Sequence, residues 1–401
     1  MRPISLVARP QLPASVREME LVERKGLGHP DTICDALMES ISVALCAAYV
    51  EVCGRVLHHN LDKSLLVAGQ TSPQPGGGTI EAPMRIICGD RAVGAWQGTK
   101  IPLGEIVEAT AVDWFRQHLR YVDPQRHVVL QNEIRPGSPE LVDIFARDTL
   151  TANDTSAAVG FAPLSETEQL VLAAERYLNS PEFKARHPET GEDVKAMGIR
   201  RGRALQLTVA VAFVDRFITT PKSYFDLKAG LTQELNDHLS ARLQHLDRVE
   251  VQVNTLDDPT RGLGGMYLTV LGTSAEGADG GEVGRGNRVN GVISLNRPMT
   301  LEAAAGKNPV SHVGKIYNVL SHQLASRIYT SVPGLHEVYV WLCSQIGRPL
   351  DDPWSVSVEL ALASGARLEE VEAPIQTIVD DELQNVNRLV ERLCRGEIPI
   401  C

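Results

Sequence analysis

The chain has 401 residues, room for two or three packed units, and its 43% hydrophobic and 22% charged content is that of an ordinary soluble globular protein. A formal net charge of −11 argues against a general nucleic-acid surface, so any cations that matter must be local. Seven scattered cysteines without C-x-x-C spacing fit a reducing cytosol better than a disulfide scaffold or a zinc site, and no signal peptide or apolar stretch of about 18 residues able to span a bilayer is expected.

In chain order, residues 1–22 read as an extended arm or strand. Glu23-Arg24-Lys25-Gly26-Leu27-Gly28-His29-Pro30-Asp31 then leads into Ile33, Leu37, Ile41, Leu45 and Ala48 at helical spacing. Pro30 suits the first helical position, which puts His29 at a helix N-terminus, where free N–H groups and the dipole favour an anion. Asp31 and Asp35 are four apart and share a face. An Asp beside bound phosphate is a natural magnesium ligand. A capped helix with an acidic first turn accounts for the same residues without any ligand.

Ser64–Ala68 reads as a strand, and Pro73–Gly78 as a mobile loop. Gly104–Tyr121 reads as an amphipathic helix with Ile106, Ala109, Val112 and Leu119 inward. Val128–Leu130 is a short strand. In Gly137-Ser138-Pro139-Glu140-Leu141-Val142, the Gly-Ser turn either caps a helix or wraps a phosphate with backbone N–H groups. Ser165-Glu166-Thr167-Glu168 is a capping box that opens a helix through Leu178, a structural role. Ser180–Lys195 is polar and turn-rich. On extended chain Asp193 and Lys195 point to one face, where a carboxylate can bind ribose hydroxyls and its neighbour a phosphate; an exposed ion pair is the simpler alternative. Leu205–Val214 is a buried strand. Tyr224–Leu243 reads as a helix, and Arg248–Asn254 and Met266–Leu271 as paired strands around a turn at Asp257–Gly262.

Asp279–Asn318 organises the rest. Gly280, Gly281, Gly284, Gly286 and Gly291 allow tight turns or close approach to a ligand. Arg285, Arg288, Arg297, Lys307 and Lys315 supply positive charge, and His312 can add more. The combination suggests a polyanion site, most simply for a polyphosphate. It is not a Walker A loop, since no G-x-x-x-x-G-K-[ST] occurs. Val313, Ile316, Leu320, Leu324 and Ile328 mark a helix that Pro333-Gly334 stops. Beyond it strands and helices alternate, ending in one amphipathic helix with Ile378, Leu383, Val386, Leu389 and Leu393 inward.

The strings GRGNRVNG and EAAAGKNPVSHVGKIYN in this stretch resemble S-adenosylmethionine synthetases (methionine adenosyltransferases) of the archaeal type. So do GHPD at 28–31 and ANDTSAAVGFAPLSE at 152–166. The resemblance implies an α/β (α+β) fold of three discontinuous, quasi-repeated domains: residues 1–27 with 165–273, residues 28–141 with 307–313, and residues 142–164 with 274–306 and 314–401. It implies formation of S-adenosylmethionine from ATP and L-methionine, by attack of sulfur on C5′, with the tripolyphosphate then cleaved to phosphate and diphosphate. It further implies magnesium, with potassium as a second cation, and a cytoplasmic homodimer with composite active sites and no nucleic-acid or membrane partner.

By the same resemblance His29 contacts the phosphates, Asp31 binds magnesium, and Glu23 lies in the nucleotide or methionine pocket. Gly137, Ser138, Pro139, Glu140, Leu141 and Val142 touch ATP. Asp154 belongs to the adenosine or methionine pocket, and Asp193 and Lys195 to the nucleotide. Asp279 takes the methionine ammonium and Arg285 the triphosphate. Lys307, Lys315 and His312 complete the charged cage. Four departures stand out: Thr32 where bacterial and eukaryotic members carry Lys, Gln70 for Glu, Glu140 for Asp, and GADGGEVGR at 277–285, where an Ala precedes Asp279. The first removes a phosphate-binding cation, which another residue must replace.

The implied nucleophile is a neutral thioether and needs no general base. The leaving group gathers charge, so catalysis rests on positioning and electrostatic stabilisation. Lys307→Met is expected to keep the fold and dimer and to lower turnover by roughly two or more orders of magnitude. Two other readings compete: a family member turned to another thioether or to tripolyphosphate cleavage alone, and a non-catalytic nucleotide-binding or regulatory subunit.

Overall fold

Three separate apolar cores organise the chain in the computed structural model, which describes residues 4–137 and 150–401. The first is built on a mixed sheet in the order 248–253, 204–214, 190–201, 19–25, 293–294. Met19–Lys25 (β1) and Thr190–Arg201 (β2) run antiparallel, and Ala204–Val214 (β3) continues the sheet. Along β3 the β-branched and apolar side chains alternate until Val211 and are then continuously buried, as a strand covered on both faces requires. Arg248–Val253 and Leu268–Thr269 were expected to pair with each other; both instead pair with β3, in parallel.

The second core surrounds the helix Pro30–Cys53 (α1). Ile33, Leu37, Met38, Ile41, Leu45, Cys46 and Tyr49 are buried along it. They pack on a sheet in the order 128–132, 84–88, 65–67, 281–282 and on the helix Leu103–His118. That helix buries Val107, Ala111, Trp114 and Phe115; of the positions expected inward, Leu119 is buried and Ile106 packs half-buried on the same core, whereas Ala109 is exposed and Val112 only half-buried. The inward stripe is turned by about one residue because two bulky aromatics gain most from burial. By length and composition α1 could cross a bilayer, which corrects the expectation that no such stretch exists; here it is a core helix, more than half buried in the protein.

In the third core, Val313–Ser331 (α2) lies on a sheet in the order 5–8, 355–362, 335–343, 157–162. The final helix expected from the sequence is two, Leu368–Gln384 and Val386–Cys394. Asn385 divides them: its side chain donates to the Asp381 carbonyl at 2.8 Å, competing with the helical ladder. A helix at Pro181–Arg186 also occupies part of the stretch read as turns.

Pro73–Gly78 closes a hairpin between Gln70–Ser72 and Thr79–Ala82. It is tied down rather than free. The buried Asp215 carboxylate accepts from the N–H groups of Gln74 (3.2 Å) and Gly78 (2.7 Å), and Gly76 N–H donates to the Ile218 carbonyl at 2.8 Å.

Candidate active site

The sharpest convergence of ionisable groups lies where β1, β2 and the start of α1 meet. Across β1 and β2, Lys25 stands directly opposite Lys195. Facing lysines repel, and each is offset by an acid: Lys195 Nζ lies 3.1 Å from Glu23 Oε1, and Lys25 Nζ 2.8 Å from Asp31 Oδ2. Between the strand and α1 the chain passes through Gly26-Leu27-Gly28. Gly28 N–H donates to the Glu192 carbonyl at 2.9 Å, and a Cβ at Gly28 would sit 2.5 Å from Asp193 N. Only glycine permits that approach, which sets His29 beside Asp193.

His29 caps α1 with its own ring: Nδ1 accepts from Asp31 N–H at 3.2 Å. That fixes the proton on Nε2 and leaves an N–H donor for a ligand. Burial lowers the His29 pKa; Asp193 and Asp31 pull the other way, while Lys25 and Lys195 reinforce the shift. The imidazole is therefore neutral near pH 7. Asp193 is buried and accepts from Ser274 N–H (2.8 Å) and Ser274 Oγ–H (2.5 Å). Burial raises its pKa against the pull of His29 and Ser274, and nearby Asp279 adds to the rise. Asp279 is exposed, and its carboxylate has no partner among the described residues. Burial pushes Asp31 up, but the hydrogen bonds from Lys25 and from Glu282 N–H outweigh it and hold the carboxylate below its ordinary value. Gly281 packs so tightly on the start of α1 that a Cβ would meet Pro30 C at 2.3 Å. The Arg285 carbonyl accepts from Lys25 Nζ at 2.7 Å, while its guanidinium is exposed and unpaired among the described residues.

A second cluster surrounds the N-terminus of α2. His312 repeats the device of His29, its Nδ1 accepting from Gly314 N–H at 3.2 Å. Burial, helped by Lys307, lowers its pKa to about 3. Lys307 is 1% exposed; its ammonium bonds Asp62 and lies 2.9 Å from Glu302 Oε1. Lys315 is buried and donates to both oxygens of Glu39, at 2.8 and 2.6 Å. Among the described residues no hydrogen bond or ion pair joins the two clusters directly. They are linked along α1, where Asp31, Asp35 and Glu39 stand four residues apart. Asp35 accepts from Gly284 N–H at 2.8 Å, and Glu39 from Gly306 N–H at 3.0 Å. At 1.5 Å per residue the outer two are roughly 12 Å apart.

Of the residues singled out from the sequence for one charged cage, the structure brings His29, Asp31, Glu23, Asp193, Lys195, Asp279 and Arg285 to one cluster, and Lys307, His312 and Lys315 to a second within the same chain. Gly137 lies apart, against His58. Asp154 sits beside the third sheet, where its carbonyl accepts from Ser344 Oγ–H at 2.8 Å; the preceding Asn153 donates its N–H to the Ser311 carbonyl at 3.1 Å, next to His312, and among the described residues no hydrogen bond or ion pair joins Asp154 itself to either cluster. Ser138, Pro139, Glu140, Leu141 and Val142 lie outside the described residues. Lys25, Ser274, Asp62, Glu302 and Glu39 were missed. Glu39 was within reach, since it continues the i, i+4 stripe of Asp31 and Asp35; nothing local marks Asp62. The buried pairing of Lys307 with Asp62 and Glu302 bears on the expectation that Lys307→Met keeps the fold, since that variant would leave a buried carboxylate without its cation.

Among the described residues each Asp31 oxygen has one protein donor, and a carboxylate oxygen has two lone pairs. Asp31 therefore fits as one protein ligand of a magnesium ion that arrives with phosphate and water ligands. Among the described residues no group of three His, Cys, Asp or Glu side chains could hold a metal by itself.

The chain matches the model of the family described as S-adenosylmethionine synthetase (AdoMet synthetase) over residues 2–397. It is 45% identical over 395 residues to an S-adenosylmethionine synthase of Pyrobaculum neutrophilum, with 97% of each chain covered. It is 46% identical over 403 residues to one of Hyperthermus butylicus, again with 97% of each covered. Among solved structures, an unusual S-adenosylmethionine synthetase from Campylobacter jejuni superposes with a TM-score of 0.62 at 15% identity, covering 96% of this chain and 95% of that one; this likeness concerns the fold alone.

Proposed function

As the chain belongs to the S-adenosylmethionine synthetase family, we propose that it is a methionine adenosyltransferase that works as follows. Methionine sulfur attacks C5′ of ATP, and the whole triphosphate departs before being split into phosphate and diphosphate. The observation that carries the residue assignment is the packing of His29, Asp31, Asp193, Lys195 and Glu23 into one cluster at the N-terminus of α1, buried except for Glu23 and Lys195 at its edge.

Each group there has a task the reaction needs. His29, neutral, donates Nε2–H to a triphosphate oxygen without needing to change protonation. Lys195 and the unpaired Arg285 add positive charge where the leaving group gathers negative charge, and such preorganised charge is commonly the largest single contribution to a rate. Asp193, whose Oδ2 is taken up by the two Ser274 donors, offers Oδ1 to ribose hydroxyls. Asp279 takes the methionine ammonium, with Glu23 in the same pocket, and Asp154 with Gly137–Val142 serves the nucleotide. Asp31 holds magnesium, which when bound neutralises triphosphate charge; potassium is a further cation of the same site. Lys307, Lys315 and His312 serve the same phosphates from a second copy, so the active enzyme is a homodimer with composite sites. The division into residues 1–27 with 165–273, 28–141 with 307–313, and the remainder is part of this reading; the three cores support three units, while residues 5–8, 281–282 and 293–294 each pair into the sheet of a unit other than the one this division gives them. Seven free cysteines support a reducing, cytoplasmic setting.

Incubation with ATP, methionine and magnesium, followed by mass analysis, tests the reaction. The expected products are the S-adenosyl sulfonium, phosphate and diphosphate. Phosphate without sulfonium would instead favour tripolyphosphate cleavage alone, and ATP recovered intact would favour a non-catalytic nucleotide-binding subunit.

A further inference from the structure

We propose that Lys25 is a catalytic cation of this enzyme, its ammonium binding the triphosphate between His29 and Arg285. The proposal rests on the reading of the site just given. Three observations support it. First, the ammonium is placed at the centre of the cluster. It bonds Asp31 Oδ2 at 2.8 Å and the carbonyl of Arg285 at 2.7 Å, and it faces Lys195 across the sheet. An ammonium has three N–H groups, and the third has no protein acceptor among the described residues.

Second, its backbone is fixed on both sides by one side chain. Asn287 Oδ1 accepts from Lys25 N–H at 2.9 Å, and Asn287 Nδ2 donates to the Lys25 carbonyl at 2.7 Å. Thr32 Oγ–H donates to the same carbonyl at 3.2 Å. The lysine is thereby preorganised, so little ordering remains to be done when an anion arrives. Third, it is shielded: its side chain is 12% exposed against 43% for Lys195. A charge held out of water acts on a neighbouring phosphate more strongly than one at the surface. Thr32 leaves the first turn of α1 without a cation at that position, and Lys25, reaching the same turn from β1, supplies one.

The bland alternative is that Lys25 only neutralises Asp31. Calorimetric titration of the intact enzyme with inorganic tripolyphosphate separates the two, read beside steady-state kinetics with ATP and methionine. Lys25→Met removes the charge. Lys25→Gln also removes it but retains an amide donor for Asp31 and the Arg285 carbonyl, so it serves should the methionine variant not fold. In either variant we expect tripolyphosphate affinity to weaken by about tenfold or more and kcat to fall by about 100-fold, with the KM for methionine within about twofold of wild type. Variants that melt like wild type and bind tripolyphosphate within about twofold of it would overturn the assignment of Lys25. A wild-type enzyme that binds no tripolyphosphate would instead overturn the reading of the whole site.

Discussion

Lys307→Met gives the most direct test of how the second cluster is held together. Its ammonium is bonded to Asp62, whose side chain is only 4% exposed, and lies 2.9 Å from Glu302. Burial pushes Asp62 up, but Lys307 outweighs it and holds the carboxylate well below its ordinary range. The other donors to Asp62 are weaker substitutes: Asn60 is neutral, and Lys63, at 2.6 Å, is 67% exposed. Removing one partner of a buried pair leaves an uncompensated charge, at a cost of about 3–5 kcal/mol. Stability should therefore fall by that much at pH 7 in denaturant unfolding followed by circular dichroism. Because the folded pKa of Asp62 is depressed, the wild-type gain is complete above the unfolded carboxylate value and is lost as pH falls through the folded one. The difference between variant and wild type should thus shrink steadily below about pH 4. Adding Asp62→Asn should recover about 2–3 kcal/mol, the coupling expected of residues in contact. Turnover, measured at a temperature where both proteins are folded, should still be lower by roughly two orders of magnitude. A loss of less than about 1 kcal/mol at pH 7 would refute the argument that this pair is buried and uncompensated by its neighbours.

Gly28→Ala should destabilise by about 1–3 kcal/mol and sharply reduce turnover, since the new Cβ meets backbone atoms of Glu192 and Asp193 that cannot step aside alone; unchanged activity would show that the 28/193 contact does not set the site. Asp35 is held at a pKa of about 7 by burial, against the pull of Gly284 N–H and Arg288. With its folded value above the unfolded one, the native state binds the extra proton between about pH 4 and 7, so the stability this residue contributes declines as pH rises through that window. Asp35→Asn should remove about 3–4 kcal/mol of that pH dependence, and matching wild-type and variant unfolding profiles from pH 4 to 8 would contradict it. Asp215→Ala should release Gln74 and Gly78 N–H groups at a cost of about 1–3 kcal/mol. Amide exchange at 74–78 should quicken; wild-type protection there would mean that the carboxylate is not what holds the hairpin.

Much of the fold was readable locally. Pro30 after a Gly-x-Gly approach announced α1 and its cap, and the Ser165/Glu168 capping box is formed as the spacing implied. The misreadings have common causes. Along Leu103–His118 the periodicity was right, but the phase was decided by what the aromatics pack against. At Asn385 a polar side chain lying between the stripe residues Leu383 and Val386 ended a helix whose pattern ran on. The hairpin tip at Pro73–Gly78 has the composition of a free loop, and its anchor, Asp215, is far away in sequence.

The candidate site divides in the same way. Residue type and short-range spacing determine the inventory of charges: an imidazole at a helix start, an acid one turn on, an acid and a lysine alternating along a strand, and a run of cations among glycines. Those are properties of a few neighbouring residues, so the sequence alone is enough. Which charge meets which was decided only in three dimensions. Lys25 faces Lys195 because two strands separated by some 170 positions share a register, and Lys307 finds Asp62 because the backbone at 306–307 bridges antiparallel to that at 60–61. Burial then sets how strongly each pair interacts and where each group titrates, and burial is a property of the packed chain that no short segment carries.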